Sequence, residues 1–249
     1  MILVLVLFTG CADDHEQSVV ELTISAAASL SHALEEIQNH YESEHENIRL
    51  SFNFGASGVL QQQIEQGAPA DIFLSAASIN MRNLVDRHFI DESQQHNLLM
   101  NELVVIIPAD GNLTVHSMDD LSKSDIEHVA MGEPQTVPAG SYAKEALTTA
   151  KLWDNLQSRI VLGKDVRQVL TYVESGNAEA GFVYQTDALA SKNVIVAFHV
   201  DPTTYTPIEY PVGIVKATKH SNEALDFYMY LQSQQSQDVF LKYGFSVPK

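Results

Sequence analysis

"ISAAASLSHALEEI", Ile24 to Ile37, decides how this chain is read. A β-branched run stops at three alanines. Apolar Leu30, Ala33, Leu34 and Ile37, continued by Tyr41, then recur at helical spacing. A strand therefore hands over to a helix, and Ser29 stands at the handover. Three roles are open to that serine: a solvent-facing polar residue, the N-cap of its own helix, or a donor to a ligand.

Working outward, the same handover repeats. Residues 19–28 have strand composition. "IRLSFNFG" (48–55) is a second strand, Gly55 to Gly58 a turn, and "VLQQQIEQG" a helix ended by Gly67. "ADIFLSA" (70–76) is a third strand and "SINMRNLVDRHF" (78–89) a helix. This β-α-β-α-β-α order implies an α/β fold, a parallel sheet flanked by helices, with its ligand edge at the carboxyl ends of the strands. After the apolar strand "ELVVIIPA" (102–109) a second series follows. It comprises "HVAMGEP" (128–134), the helix "SYAKEALTTAKLW" (141–153), "IVLGKD" (160–165), the helix "VRQVLTYVESG" (166–176) and "AGFVYQTDALAS" (180–191). Then come the apolar strand "EYPVGIV" (209–215), an amphipathic helix "NEALDFYMYLQS" (222–233) and "SQDVFLKYGFS" (236–246). Two apolar segments bracket the second series, so two lobes joined by two crossings are expected. Residues 19–103 with 214–249 form lobe I in this reading, and 104–213 form lobe II.

Composition narrows the partners. Among 249 residues, 32 are acidic and 14 basic, a formal charge of −18. Nucleic acid, which needs a basic footprint, is excluded. The same field opposes a small anion at long range, so any anion site must work through short-range, oriented donors. The one cysteine, Cys11, allows no internal disulfide. It ends "MILVLVLFTGC", which resembles a bacterial lipoprotein signal whose cysteine is lipidated after cleavage. "ADDHEQS" (12–18) then reads as a tether, so residues 1–18 are set apart from the lobes.

Four positions share one design, in which a strand ends, a small or polar residue follows and a helix starts. They are Ser29, Ser57 in "GASG", Ala139 in "VPAGSYAKEAL" and Val166 in "GKDVRQVL". Helix amino ends carry unpaired N–H groups and the positive end of the macrodipole, and so bind anions without formal positive charge. A serine adds a hydroxyl donor. Taken singly, each feature has an ordinary explanation: Ser29 caps, Asp165 caps the helix beginning at Val166, Gly140 relieves a turn. The argument rests on convergence. Hydrolysis is disfavoured because "GASGV" places its glycine one position too early for the G-x-S-x-G elbow. His32, His40 and His45, near Glu35, Glu36, Glu42 and Glu44, lack H-E-x-x-H spacing and read as an exposed helical face.

The chain resembles the molybdate-binding receptors of molybdate ABC importers. The residues that carry the resemblance are "AAASL" (26–30), "GASGVLQQQIEQGAPADIFLSA" (55–76), "VPAGSYAKEAL" (137–147), "DVRQVLTYVESGNAEAGFVYQTDA" (165–188), "EYPVGIV" (209–215) and "FLKYGF" (240–245). The resemblance runs from Glu21 to the carboxyl end. It implies a two-lobed periplasmic-binding-protein fold of type II, each lobe a mostly parallel sheet flanked by helices, with two hinge crossings. It implies that Ser29 and Ser57 give hydroxyls, Ala139 and Val166 backbone N–H groups, and Tyr184 a hydroxyl to molybdate or tungstate, with no direct metal ligand. Sulfate or another tetrahedral oxyanion is the alternative. Read without the resemblance, Tyr184 is a core residue ending an apolar run. The resemblance further implies a monomer that binds without catalysis or cofactor. That monomer delivers its ligand to an inner-membrane permease, in the periplasm or anchored through Cys11.

Overall fold

The computed structural model describes residues 19–111 and 113–248. Cys11 and the rest of residues 1–18 lie outside the described residues.

In chain order the strands are β1 (Val20–Ala27), β2 (Ile48–Gly55), β3 (Ile72–Leu74), β4 (Ile90–Asn101), β5 (Leu103–Pro108), β6 (Val129–Gly132), β7 (Ile160–Gly163), β8 (Ala180–Tyr184), β9 (Val194–His199) and β10 (Ile208–Val215). The helices are α1 (Ser31–Glu44), α2 (Ser57–Glu65), α3 (Ser78–Asp86), α4 (Pro138–Thr149), α5 (Trp153–Leu156), α6 (Val166–Glu174), α7 (Gln185–Leu189), α8 (Ser221–Tyr230) and α9 (Gln234–Lys242).

The strands form two five-stranded sheets, ordered β2-β1-β3-β10-β4 and β7-β6-β8-β5-β9. The two orders are equivalent. In each, three parallel strands are joined through an antiparallel strand to an outer one. That antiparallel strand, β10 or β5, is the one arriving from the other lobe. The α/β expectation therefore holds, with one reversed strand per sheet. β1, with its last four residues fully buried, shows why a continuous apolar run is needed: it has neighbours on both edges and helices on its faces.

The lobe boundaries differ from those read in the sequence. β10 pairs with β3 and β4 along its length, so residues 208–213 belong to lobe I, not lobe II. The return crossing falls in residues 200–207, where a short 3-10 turn, Pro202–Thr204, interrupts the chain. The outward crossing is Glu102 alone, because β5 begins at Leu103. Two bonds tie the crossings: the Val200 N–H donates to the Leu103 carbonyl (3.0 Å), and the Leu103 N–H to the Tyr205 hydroxyl (3.2 Å). Two strands have no counterpart in the sequence reading, β4 and β9. Both are sheet edges; β4 continues from Ile90 with the polar, partly exposed "DESQQHN" and so shows no clean apolar run, whereas β9 is the apolar run "VIVAF", legible in the sequence but not read there.

Candidate functional site

β1, β2, β6, β7 and β8 all end toward the cleft between the lobes, and a helical turn starts after each. Ser29 lies in a 3-10 turn, Ala28–Leu30, ahead of α1. Its side chain makes no capping bond; it meets the Tyr210 hydroxyl at 2.9 Å. Ser57 is the first residue of α2, and its oxygen accepts the Ala76 N–H at 2.9 Å. Val166 opens α6, where the Asp165 carboxylate caps by accepting the Gln168 N–H at 2.9 Å. Tyr184 ends β8.

Ser29, Ser57, Val166 and Tyr184 line one cavity of about 10 Å³, with Ala27, Ala28, Gly55, Ala56, Ala76, Val137, Pro138 and Asp165. A space of that size is about that of one water molecule. Ala139 is not in the lining itself. It is fully buried in the first turn of α4, directly after Val137 and Pro138. Neither the Ala139 nor the Val166 N–H has an intrahelical acceptor, since both lie in first turns.

The lining includes no lysine or arginine. Its one charged residue, Asp165, spends a carboxylate oxygen on its own helix. What faces the space is a set of donors. The Tyr184 hydroxyl is buried and, among the described residues, has no hydrogen-bond partner. Burial holds its pKa well above the usual tyrosine value, so it remains an O–H. The Ser57 oxygen already accepts from the Ala76 N–H, which leaves its hydroxyl proton to turn inward, while Ser29 Oγ is paired with the Tyr210 hydroxyl, either of which can donate. An apolar ligand would strand these groups at a cost of roughly 1–3 kcal/mol each. An oxyanion satisfies them.

The lobes meet around this cavity. The Gly58 N–H of lobe I donates to the Thr136 carbonyl of lobe II at 3.0 Å. A Cβ at Gly58 would fall 2.7 Å from that carbonyl oxygen, so the approach requires glycine. The Tyr142 hydroxyl of lobe II donates to the Ala76 carbonyl at 3.3 Å. Gly140 serves packing rather than a turn, because a side chain there would strike the Gly132 carbonyl of β6. Among the described residues, no three His, Cys, Asp or Glu stand together as a metal centre.

Sequence reasoning did not single out Tyr210, Asn101, Thr186 or Asp187. Asp187 is buried, and its Oδ2 accepts the Tyr184 N–H at 3.2 Å. Burial pushes its pKa up to about 7, opposed by that N–H and by Arg167. The one available signal was polar residues closing apolar runs, as Asn101 does after "NLLM".

Known proteins bear on this geometry. The model of the family described as bacterial extracellular solute-binding protein matches residues 22–246. YvgL of Bacillus subtilis, whose name makes it a candidate ABC-transporter substrate-binding lipoprotein, is 50% identical over 244 residues, 96% of this chain and 93% of its own. The molybdate-binding protein ModA of Haemophilus influenzae is 38% identical over 232 residues, 91% of this chain and 90% of its own. The solved periplasmic molybdate-binding protein of Azotobacter vinelandii superimposes with a TM-score of 0.83 at 25% identity, covering 92% of this chain and all of that one. The chain belongs to the bacterial extracellular solute-binding proteins, as a ModA-like member.

Proposed function

We propose that this protein captures molybdate, and tungstate of the same shape and charge, between its lobes and presents it to the permease of an ABC importer. The observation that carries the reading is the cavity itself. Uncharged donors at or just after four strand ends, Ser29, Ser57, Val166 and Tyr184, line one small cavity with no lysine or arginine among its residues, and Ala139 lies directly behind its Val137 and Pro138. Ser29, Ser57 and Tyr184 supply hydroxyls, and Ala139 and Val166 supply N–H groups. The names of the ModA relatives and of the Azotobacter structure support molybdate as the ligand. The function is binding and release by a monomer, with no bond made or broken and no cofactor. A panel of oxyanions tests it by thermal shift. Molybdate and tungstate are expected to raise the Tm, since a ligand at about 100 times its Kd adds roughly 2.7 kcal/mol. Sulfate, which is smaller, should trail far behind. No shift with molybdate or tungstate at millimolar concentration overturns the assignment.

The location follows the same reading. The protein works outside the cytoplasmic membrane, tethered by a lipid on Cys11, as "LFTGC" and the lipoprotein name of YvgL support. Mass spectrometry of membrane-fraction protein from the native host should find a diacylglycerol-modified Cys11 at the amino end. A mature protein that retains a free Cys11 thiol rules this out.

A further inference from the structure

We infer that Asn101 and Tyr210 fix the direction of the Ser29 hydroxyl, making it an obligate donor and so biasing the cavity toward oxyanions that carry no proton. Neither residue lines the cavity; both are positioning residues. The inference rests on the oxyanion-receptor reading above.

The direction can be followed bond by bond. The Glu102 N–H donates to Asn101 Oδ1 at 2.9 Å, which settles which end of the amide is oxygen. The Asn101 Nδ2 group then donates twice, to Thr186 Oγ1 at 2.9 Å and to Tyr210 Oη at 3.2 Å. The Tyr210 oxygen is thus an acceptor, and its own proton needs another target. Tyr210 is almost wholly buried, and among the described residues its remaining partner within hydrogen-bond distance is Ser29 Oγ at 2.9 Å. If Ser29 donated instead, the Tyr210 proton would have no partner within hydrogen-bond distance among the described residues. So Tyr210 donates to Ser29, and the Ser29 proton is free for the cavity. Burial keeps Tyr210 protonated, which preserves this direction at ordinary pH.

The chain of bonds starts at the outward crossing. Asn101 is the last residue of β4, and Thr186 belongs to lobe II, so the relay is anchored on both sides of the hinge. Ser57 is primed in the same sense by the Ala76 N–H. A hydrogen oxyanion needs an acceptor, and here one of the two lone pairs of each serine oxygen is already taken by an internal donor, which weakens it as a partner for a ligand proton.

The test is a double-mutant cycle read by calorimetry with molybdate, using wild type, Tyr210→Phe, Ser29→Ala and the double variant. Tyr210→Phe keeps the ring that packs edge-on against Tyr184 and Phe245. It should weaken molybdate binding about tenfold in the wild-type background. In the Ser29→Ala background the same change should cost less than about twofold, because there is no hydroxyl left to aim. Hydrogen phosphate should compete better against Tyr210→Phe than against wild type. Asn101→Leu replaces Tyr210→Phe in the cycle if the latter does not fold, with the same non-additivity expected. Additive losses in proteins that bind molybdate overturn the relay alone. A wild-type protein that binds no oxyanion overturns the receptor reading and the relay with it.

Discussion

Ser29 shows what one residue's surroundings add to its sequence context. At a strand-to-helix junction a serine is ordinarily a cap, yet here the capping bond is absent and the side chain faces Tyr210 and the cavity. Asp187 presents the opposite case, a buried carboxylate one turn from Tyr184 that a sequence reader passes over. Its folded-state pKa, about 7, lies above the 3.8 of an ordinary aspartate, with burial the leading cause. The folded protein therefore keeps a proton that the unfolded chain releases between these values. The stabilisation is complete below about pH 4 and is lost as pH rises through about 7, on the order of a few kcal/mol. Arg167 and Asp165 act on it in opposite directions, the arginine favouring the ionised form. Melting temperatures from pH 4 to 8 should fall in wild type relative to Asp187→Asn, which cannot titrate. Parallel curves for the two proteins would show that Asp187 does not change charge in this range.

At the scale of elements, the helix starts were legible, and of the four edge strands β2 and β7 were read while β4 and β9 were not. The turn after β1, α2, α4 and α6 all begin within a residue or two of Ser29, Ser57, Ala139 and Val166, because small residues and caps punctuate an apolar run. Tyr184 was visible only through resemblance, since nothing local separates a donor ending a strand from a core tyrosine. β4 was missed because an edge strand with solvent on its outer side has little reason to be apolar. The relay residues were missed because Asn101 and Tyr210 are 109 positions apart and meet only across the strand pair β4–β10. One backbone donor can be tested without disturbing its helix. Val166 is the first residue of α6, and Asp165 before it is extended at φ −156° and ψ 172°. Proline is at home in such a position and follows an extended residue comfortably. Val166→Pro deletes the N–H while keeping an apolar side chain at this buried position, and should lower molybdate affinity by roughly tenfold, the worth of a hydrogen bond to a charged acceptor. Helical content by circular dichroism should be unchanged. Unaltered affinity would remove Val166 from the ligand shell.

At the scale of the whole molecule, two equivalent sheets exchange one strand each, and the cleft lies where their carboxyl ends face. Gly58, Thr136, Tyr142 and Ala76 bond across it, so a bound ion is shut away from water. The charge of −18 acts on a different step. It cannot be felt strongly by a dehydrated ion already held by oriented donors, but it repels a dianion approaching from solution. Salt screens that approach: the Debye length falls from roughly 30 Å at 0.01 M to about 8 Å at 0.15 M. Association of molybdate should therefore accelerate several-fold as sodium chloride rises over this range, and dissociation should change little. This reverses the usual salt response of a steered encounter, in which screening slows association. Stopped-flow fluorescence from Trp153 and the tyrosines can follow both rates. An association rate that falls with salt would mean that a local positive funnel at the cleft mouth outweighs the net field. Anion capture would then depend on cations as well as on the neutral donors that line the cavity.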